Sequence, residues 1–343
     1  MKRNKLSRLL LVLTVLAMIA ALVSCKGNKD QNSDTSADSY VERTEYTITF
    51  ESNGGSKVPS ITVYKNAQLA NFEPPVRDDY IFIGWTHEGR AWEFGEGGDY
   101  VKSDMTLYAN WAKLNSVFKY EEIDGEIILT KLINKNDYPS LTIPERFNGK
   151  PVVGIGDEVF KNISINIDDS LFKGLKSVTF PKSVTKVGFA AFQDCSNLEI
   201  TFKGELTSIG ENAFYNCNTL RSINLSDELE KIPFRAFSKC QLESIIIPDS
   251  VKVIDENAFE LSTYIRTAVI PADVKIEDSA FRDCVLLKSV FFRGTETQFG
   301  ELSISGNNDP FKAAKVYYYS ESEDVEADKF WQFDSKGTPT IIG

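Results

Sequence analysis

Residues 242–262 read LESIIIPDSVKVIDENAFELS, and this stretch decides the fold because close variants of it recur along the chain. Its ending appears six times, as VVGIGDEVFKN, VTKVGFAAFQDC, LTSIGENAFYNC, LEKIPFRAFSKC, VKVIDENAFELS and VKIEDSAFRDC. Aligned on Phe160, Phe192, Phe214, Phe237, Phe259 and Phe281, the copies lie 32, 22, 23, 22 and 22 residues apart. A period in the low twenties marks a solenoid in which each unit adds one coil and buries its apolar side only against its neighbours.

Within the unit, LESIII alternates and is β-branched, which predicts a short strand with Leu242, Ile245 and Ile247 facing inward. Pro248 ends that strand, Val251 and Ile254 bury a second turn, and Ala258-Phe259 begins a short helical or 3-10 segment that closes the coil. The pattern differs from the common leucine-rich repeat, which carries an asparagine where this one has A-F-x-x-C. It resembles the BspA-like leucine-rich repeat of bacterial surface proteins, over residues 116–320 with caps. The resemblance makes residues 118–160 an opening unit with a hairpin about Asp124-Gly125, and VFFRGTETQFGELSISGNNDPFKAAKVYYYS a closing unit. A ten-residue excess before Phe192 marks an insertion at 163–174. Residues 321–343 form a tail with a final hairpin about Ser335-Lys336-Gly337.

Ahead of the solenoid, residues 45–112 change texture. Tyr46, Ile48 and Phe50 alternate with Thr47 and Thr49, then Ser52-Asn53-Gly54-Gly55 supplies a hairpin turn. Further strands run over Ile61 to Tyr64, YIFIGW (Tyr80 to Trp85) and MTLYANW (Met105 to Trp111). The paired GW and LYANW endings make residues 46–112 resemble the Listeria-Bacteroides repeat, a small β-grasp-like module. The fold class is therefore mainly β: this module, then a leucine-rich repeat solenoid with short strands and short helical or 3-10 turns. Trp85 and Trp111 are expected in the module's core. Trp92, between Arg90 and Glu93 in a glycine-rich loop, is expected on the surface and is a candidate binding residue.

The N-terminus reads as an export signal. Lys2, Arg3, Lys5 and Arg8 precede an apolar run from Leu9 to Val23, and Leu22-Val23-Ser24-Cys25 resembles a lipobox. Residues 1–25 are thus a lipoprotein signal peptide, with Cys25 the lipidated residue, and residues 26–44 a polar tether reaching about 60 Å. Removing the four basic residues of 1–25, a segment without acids, takes the net charge from -11 to -15. Such acidity argues against nucleic acid or anionic lipid as a partner, so membrane attachment rests on the lipid alone.

Hydrolytic and metal chemistry find little support. His87 is the sole histidine, no CxxC pair or HExxH occurs, and Cys195, Cys217, Cys240 and Cys284 all stand three residues after a repeat phenylalanine. That regularity reads as a buried column of reduced thiols. No metal site, cofactor or catalytic residue is expected.

Two columns on the strand face carry more. The residue after the leading aliphatic is Lys176, Glu199, Arg221, Glu243, Arg266 or Lys288, a ladder of mostly alternating charge. The outward position between the buried strand residues is Thr179, Thr201, Asn224, Ile246, Val269 or Phe291, polar early and apolar late. Ile246, Val269 and Phe291 are the candidate partner-binding residues, with cover by the tail and its Trp331 as the competing account. The resemblance implies surface display and attachment to a host matrix protein, another cell-surface protein or a glycan. The expected location is the bacterial cell envelope, at the outer surface. The alternative is a periplasm-facing structural or assembly lipoprotein.

Overall fold

The computed structural model describes residues 44–70, 72–133, 138–163, 174–322, 325 and 327–342. The export segment, Cys25 and nearly all of the insertion at 163–174 lie outside them. Two compact units divide the chain: the first takes Pro59–Glu73 and Thr86–Leu107 with the strand residues up to Phe50, the second Glu51–Val58, Pro74–Trp85 and Tyr108–Gly343.

In the first unit, Glu45 to Ile48 pair antiparallel with Ile61 to Tyr64. The core is filled by Ile48, Phe50, Leu69, Trp92 and Val101, all buried, with Phe72 edge-on to Phe50 and Phe94.

The second unit opens with an antiparallel hairpin of Phe118–Ile123 and Glu126–Leu132. Asp124 and Gly125 both take positive φ at its turn, where glycine costs nothing and aspartate little. Coils then stack in parallel. On one side run Lys150–Ile155, Lys186–Val187 and Ser208–Ile209, and further on Lys231–Ile232, Val253–Ile254 and Lys275–Ile276. On the strand face, Ser140–Thr142, Ser177–Phe180 and Glu199–Phe202 pair in parallel, with Phe82 joining antiparallel at Thr142. A second ladder joins Ser244–Ile246, Thr267–Pro271, Ser289–Arg293 and Lys315–Tyr319. The rung between these ladders slips: Leu225 bridges Leu206, not Phe202. Glu199 likewise sits opposite Ser177 and not Lys176, so the charge ladder is not in uniform register.

Inside, the repeat phenylalanines form one column of stacked rings. Centroids lie 4.9 Å apart for Phe160–Phe192, 5.4 Å for Phe192–Phe214 and Phe214–Phe237, 5.5 Å for Phe237–Phe259 and 5.1 Å for Phe259–Phe281. Leu242, Ile245, Ile247, Val251 and Ile254 all face the same core, as the alternation predicts.

The helical expectation for the A-F step is not met. Residues two before and two after each phenylalanine are left-handed, as at Asn212 and Asn216, Arg235 and Lys239, Asn257 and Leu261, and Ser279 and Asp283. Alternate N–H groups then point along the solenoid: Asn212, Phe214 and Asn216 donate to the carbonyls of Phe234, Ala236 and Ser238 in the next coil, at 3.0, 2.9 and 2.9 Å. An α-helix would need those donors for its own i−4 carbonyls, so coil-to-coil bonding and helix formation exclude each other. Asp255 pairs with Lys231 at 2.9 Å.

This arrangement leaves the last coil's donors to be capped. Phe281 N–H donates to Asn308 Oδ1 at 2.8 Å, while the buried Asn308 amide donates to Glu277 O and Ser305 O at 2.8 and 2.7 Å. Phe311, in the helix Asp309–Ala313, stacks 5.1 Å from Phe281 and continues the ring column into the closing unit.

Candidate binding surface

The late strand-face column is largely covered. Val269 and Phe291 are only 1% and 5% exposed, packed with Tyr317 and Trp331 in a small cluster of their own. The cover is the antiparallel hairpin of Phe330–Phe333 and Pro339–Ile341, which adds to the sheet beside Lys315–Tyr319. Trp331 lies edge-on to Phe291 at 5.4 Å and its Nε1 donates to Phe292 O at 3.0 Å. Arg293 places its guanidinium over the Phe333 ring at 5.1 Å and pairs with Asp249 at 2.9 Å. Val269 and Phe291 therefore leave the set of candidate binding residues; burying them removes apolar surface from water. Ile246, one rung earlier, remains 40% exposed.

Trp92 also departs from its expected place, since it is buried in the core of the first unit. The loop closes on Asp99, which accepts from Arg90 Nη2 at 2.8 Å and from the Glu93 amide at 2.9 Å, turning the indole inward, edge-on to His87. Burial alone would raise the Asp99 pKa, but those two hydrogen bonds hold it below the ordinary carboxylate value. A buried indole offers no platform for a stacked sugar.

The cysteines have a definite structural task. Each Sγ donates to the phenylalanine carbonyl of the preceding coil: Cys195 to Phe160 O at 2.9 Å, and Cys217, Cys240 and Cys284 to Phe192, Phe214 and Phe259 at 3.1 Å. Ser262 fills the same slot and donates to Phe237 O at 2.6 Å. Burial pushes the Cys240 and Cys284 thiols up to about 12, leaving them protonated and poorly nucleophilic. Among the described residues no three His, Cys, Asp or Glu side chains converge to hold a metal ion.

A cavity of about 160 Å³ opens in the second unit, lined by Arg77, Asp78, Thr142, Glu145, Thr179 and Lys203 among others. Arg77 is already committed: it donates to Asn53 O at 3.1 Å and lies over the Tyr80 ring at 3.9 Å. Of the charge ladder, Arg221 and Glu243 pair at 3.5 Å. Both side chains are well exposed, so the pair adds little stability.

More informative is the corner where each coil leaves its phenylalanine turn and enters the strand. In the coils of Phe192 and Phe214 the second, fourth and fifth residues after the ring are Asp194, Ser196 and Asn197, and Asn216, Asn218 and Thr219. In the last two coils Leu261, Tyr264 and Val285 take such positions and stand 37%, 43% and 61% exposed. Sequence reasoning missed them because it followed the strand columns; the signal was the change from polar to apolar at equivalent corner positions.

Comparison with known proteins agrees with this architecture. Six copies of a repeat described as BspA type leucine rich repeat region match within residues 150–264 and 199–309, and a Listeria-Bacteroides repeat domain matches residues 46–110. The chain carries BspA-type leucine-rich repeats. A protein of Evansella cellulosilytica described as a membrane protein is 34% identical over 96 residues, covering 26% of this chain and 14% of that protein. A second from the same organism, described as a Gly-rich membrane protein, is 40% identical over 73 residues, covering 20% and 8%. The chain thus spans only a small part of these relatives. Among solved structures, a leucine-rich repeat protein of T. pallidum is 28% identical with a TM-score of 0.33, covering 51% of this chain and 69% of that one. One from Bacteroides ovatus is 20% identical with a TM-score of 0.40, covering 59% and 69%.

Proposed function

We propose that this leucine-rich repeat chain is a binding protein of the bacterial cell envelope, held by lipid on Cys25 and presenting its solenoid at the outer surface to a protein or glycan partner. Leucine-rich repeat proteins commonly mediate protein binding, and the description of the Evansella relatives as membrane proteins favours an envelope location. The observation that carries the reading is the division of labour within each coil. The phenylalanine is the same from coil to coil, the Cys or Ser donor nearly so and the inward strand residues apolar throughout, while the outer corner changes to exposed apolar side chains in the last two. A rigid backbone with one locally varied surface suits recognition of a partner.

Three experiments test this. Replacing Cys25 with alanine should abolish incorporation of labelled palmitate and release the chain from the membrane fraction; retention of the label would refute the anchor. Protease added to intact cells should cleave the solenoid, and the purified chain should bind immobilised matrix proteins or glycans. Cleavage seen only after lysis would instead favour a periplasm-facing assembly role.

A further inference from the structure

Three departures from the repeat pattern converge on one corner of the last two coils. The first is exposed apolar surface: Tyr264 and Val285 occupy positions that are Asn or Ser in the Phe192 coil, and they stay 43% and 61% exposed. The second is backbone conformation. Leu261 is left-handed at φ 59, where the Phe192 and Phe214 coils use Asp194 and Asn216. A left-handed leucine costs about 1 kcal/mol, and Leu261 leaves 37% of its surface exposed where asparagine or aspartate would hold the same conformation more cheaply. The third is charge. Arg221 is followed by Glu243 on the next coil, but Arg266 is followed by Lys288 and the next strand begins with Lys315. Main-chain bonds fix the succession: Arg266 N donates to Glu243 O at 2.9 Å, Lys288 N to Arg266 O at 3.0 Å and Lys315 N to Lys288 O at 2.9 Å, so alternation holds up to Arg266 and three cations then follow one another. Among the described residues, neither Arg266 nor Lys288 has an acidic side chain paired with it. Like charges side by side on neighbouring strands destabilise a sheet, and they do so here on a chain of net charge -11.

All three features lower stability or solubility at one place, and the repeat shows that other residues serve there. We infer that the corner formed by Leu261, Tyr264, Val285, Arg266, Lys288 and Lys315 is the solenoid's docking surface, and that its partner is an acidic polypeptide segment bearing aliphatic or aromatic side chains. The basic residues on successive coils would meet carboxylates, while Leu261, Tyr264 and Val285 receive the apolar side chains between them. This inference rests on the binding-protein reading above and supplies the surface and the partner's chemistry. It excludes the tail-covered column of Val269 and Phe291 as the point of contact.

The test uses the full chain and three fluorescent peptides of equal length: alternating Glu and Leu, alternating Glu and Ser, and alternating Lys and Leu. The Glu-Leu peptide should bind, and its affinity should fall as salt rises. The other two should bind at least about tenfold more weakly. The double variant Arg266→Glu, Lys288→Glu should lose about tenfold toward Glu-Leu and gain toward Lys-Leu, and Tyr264→Ser with Val285→Ser should weaken Glu-Leu without changing its salt dependence. Circular dichroism identical to that of the parent establishes that each variant is folded. Absent Glu-Leu binding, or binding unchanged in a folded charge-reversal variant, overturns the proposal. Should a matrix protein or glycan still bind the charge-reversed chain, the binding-protein reading stands and only this surface is wrong.

Discussion

The coils centred on Phe214 and Phe259 are nearly identical inside and different outside. Both stack their rings about 5 Å from their neighbours, donate the phenylalanine N–H to the next coil, and carry left-handed residues two before and two after the ring. At the outer corner Asn216, Asn218 and Thr219 of the first give way to Leu261, Thr263 and Tyr264 of the second. What repeats is therefore the part that holds the coil shut. What departs from the repeat, against the local cost in strain and charge, is the part free to serve a partner.

The largest effect should come from the shared interior. Phe214→Ala removes a ring stacked on both faces and should destabilise the solenoid by about 3–5 kcal/mol, read as a lower midpoint in denaturant. Phe259→Ala should cost a similar amount. A much smaller loss at either position would mean that the two coils are not equivalent inside.

The closing unit comes next. Asn308→Leu leaves the Phe281 N–H without its acceptor and should cost about 1–3 kcal/mol. Amide exchange should accelerate first around Phe281 and Phe311, ahead of the Phe192 coil; uniform acceleration would contradict the capping role.

Exchanging corner residues sharpens the comparison directly. Leu261→Asn should stabilise by about 1 kcal/mol, because asparagine tolerates the left-handed conformation, and the reverse change Asn216→Leu should destabilise by about the same amount. Equal melting temperatures for both variants and the parent would remove strain from the argument for the late corner.

The smallest effect is the response to acid. Hydrogen bonds from the Ser279 hydroxyl and the Asn307 amide hold the Asp278 carboxyl below its ordinary pKa, and those from the Thr338 and Lys336 amides do the same for Asp334. A lowered folded-state value stabilises above the unfolded pKa, and the contribution is lost as pH falls below about 4 toward the folded value. Asp334 is exposed and Asp278 half-buried, and both tie down C-terminal elements. Acid should thus loosen the closing unit and tail hairpin before the early coils, as followed by exchange at Asn307 and Thr338. Faster exchange in the Phe192 coil first would contradict this.

Much of the fold was legible because repetition multiplies weak signals: six aligned phenylalanines and the inward alternation of Leu242, Ile245 and Ile247 locate the core before any contact is seen. The left-handed alternation was hidden, since Arg235, Lys239 and Leu261 are not residues that announce positive φ, and only the competition for backbone donors forbids a helix there. Burial of Val269 and Phe291 depends on Trp331, 40 residues beyond Phe291, so no local pattern could decide between a bare patch and a covered one. Trp92 looked exposed by its polar neighbours, but Arg90 and Glu93 both bond to Asp99 and turn the ring inward. The slipped rung, where Leu225 bridges Leu206 four residues past Phe202, was hidden because alignment on the phenylalanines fixes the closing turn of each coil and not the register of its strand.

Amide exchange of the full chain with and without the Glu-Leu peptide tests the central claim most directly. Protection confined to 261–266, 283–288 and Lys315, with no change at the equivalent 194–199 and 216–221, is the predicted result. Protection spread over the early coils, or centred on Ile246 and the tail hairpin, would contradict it.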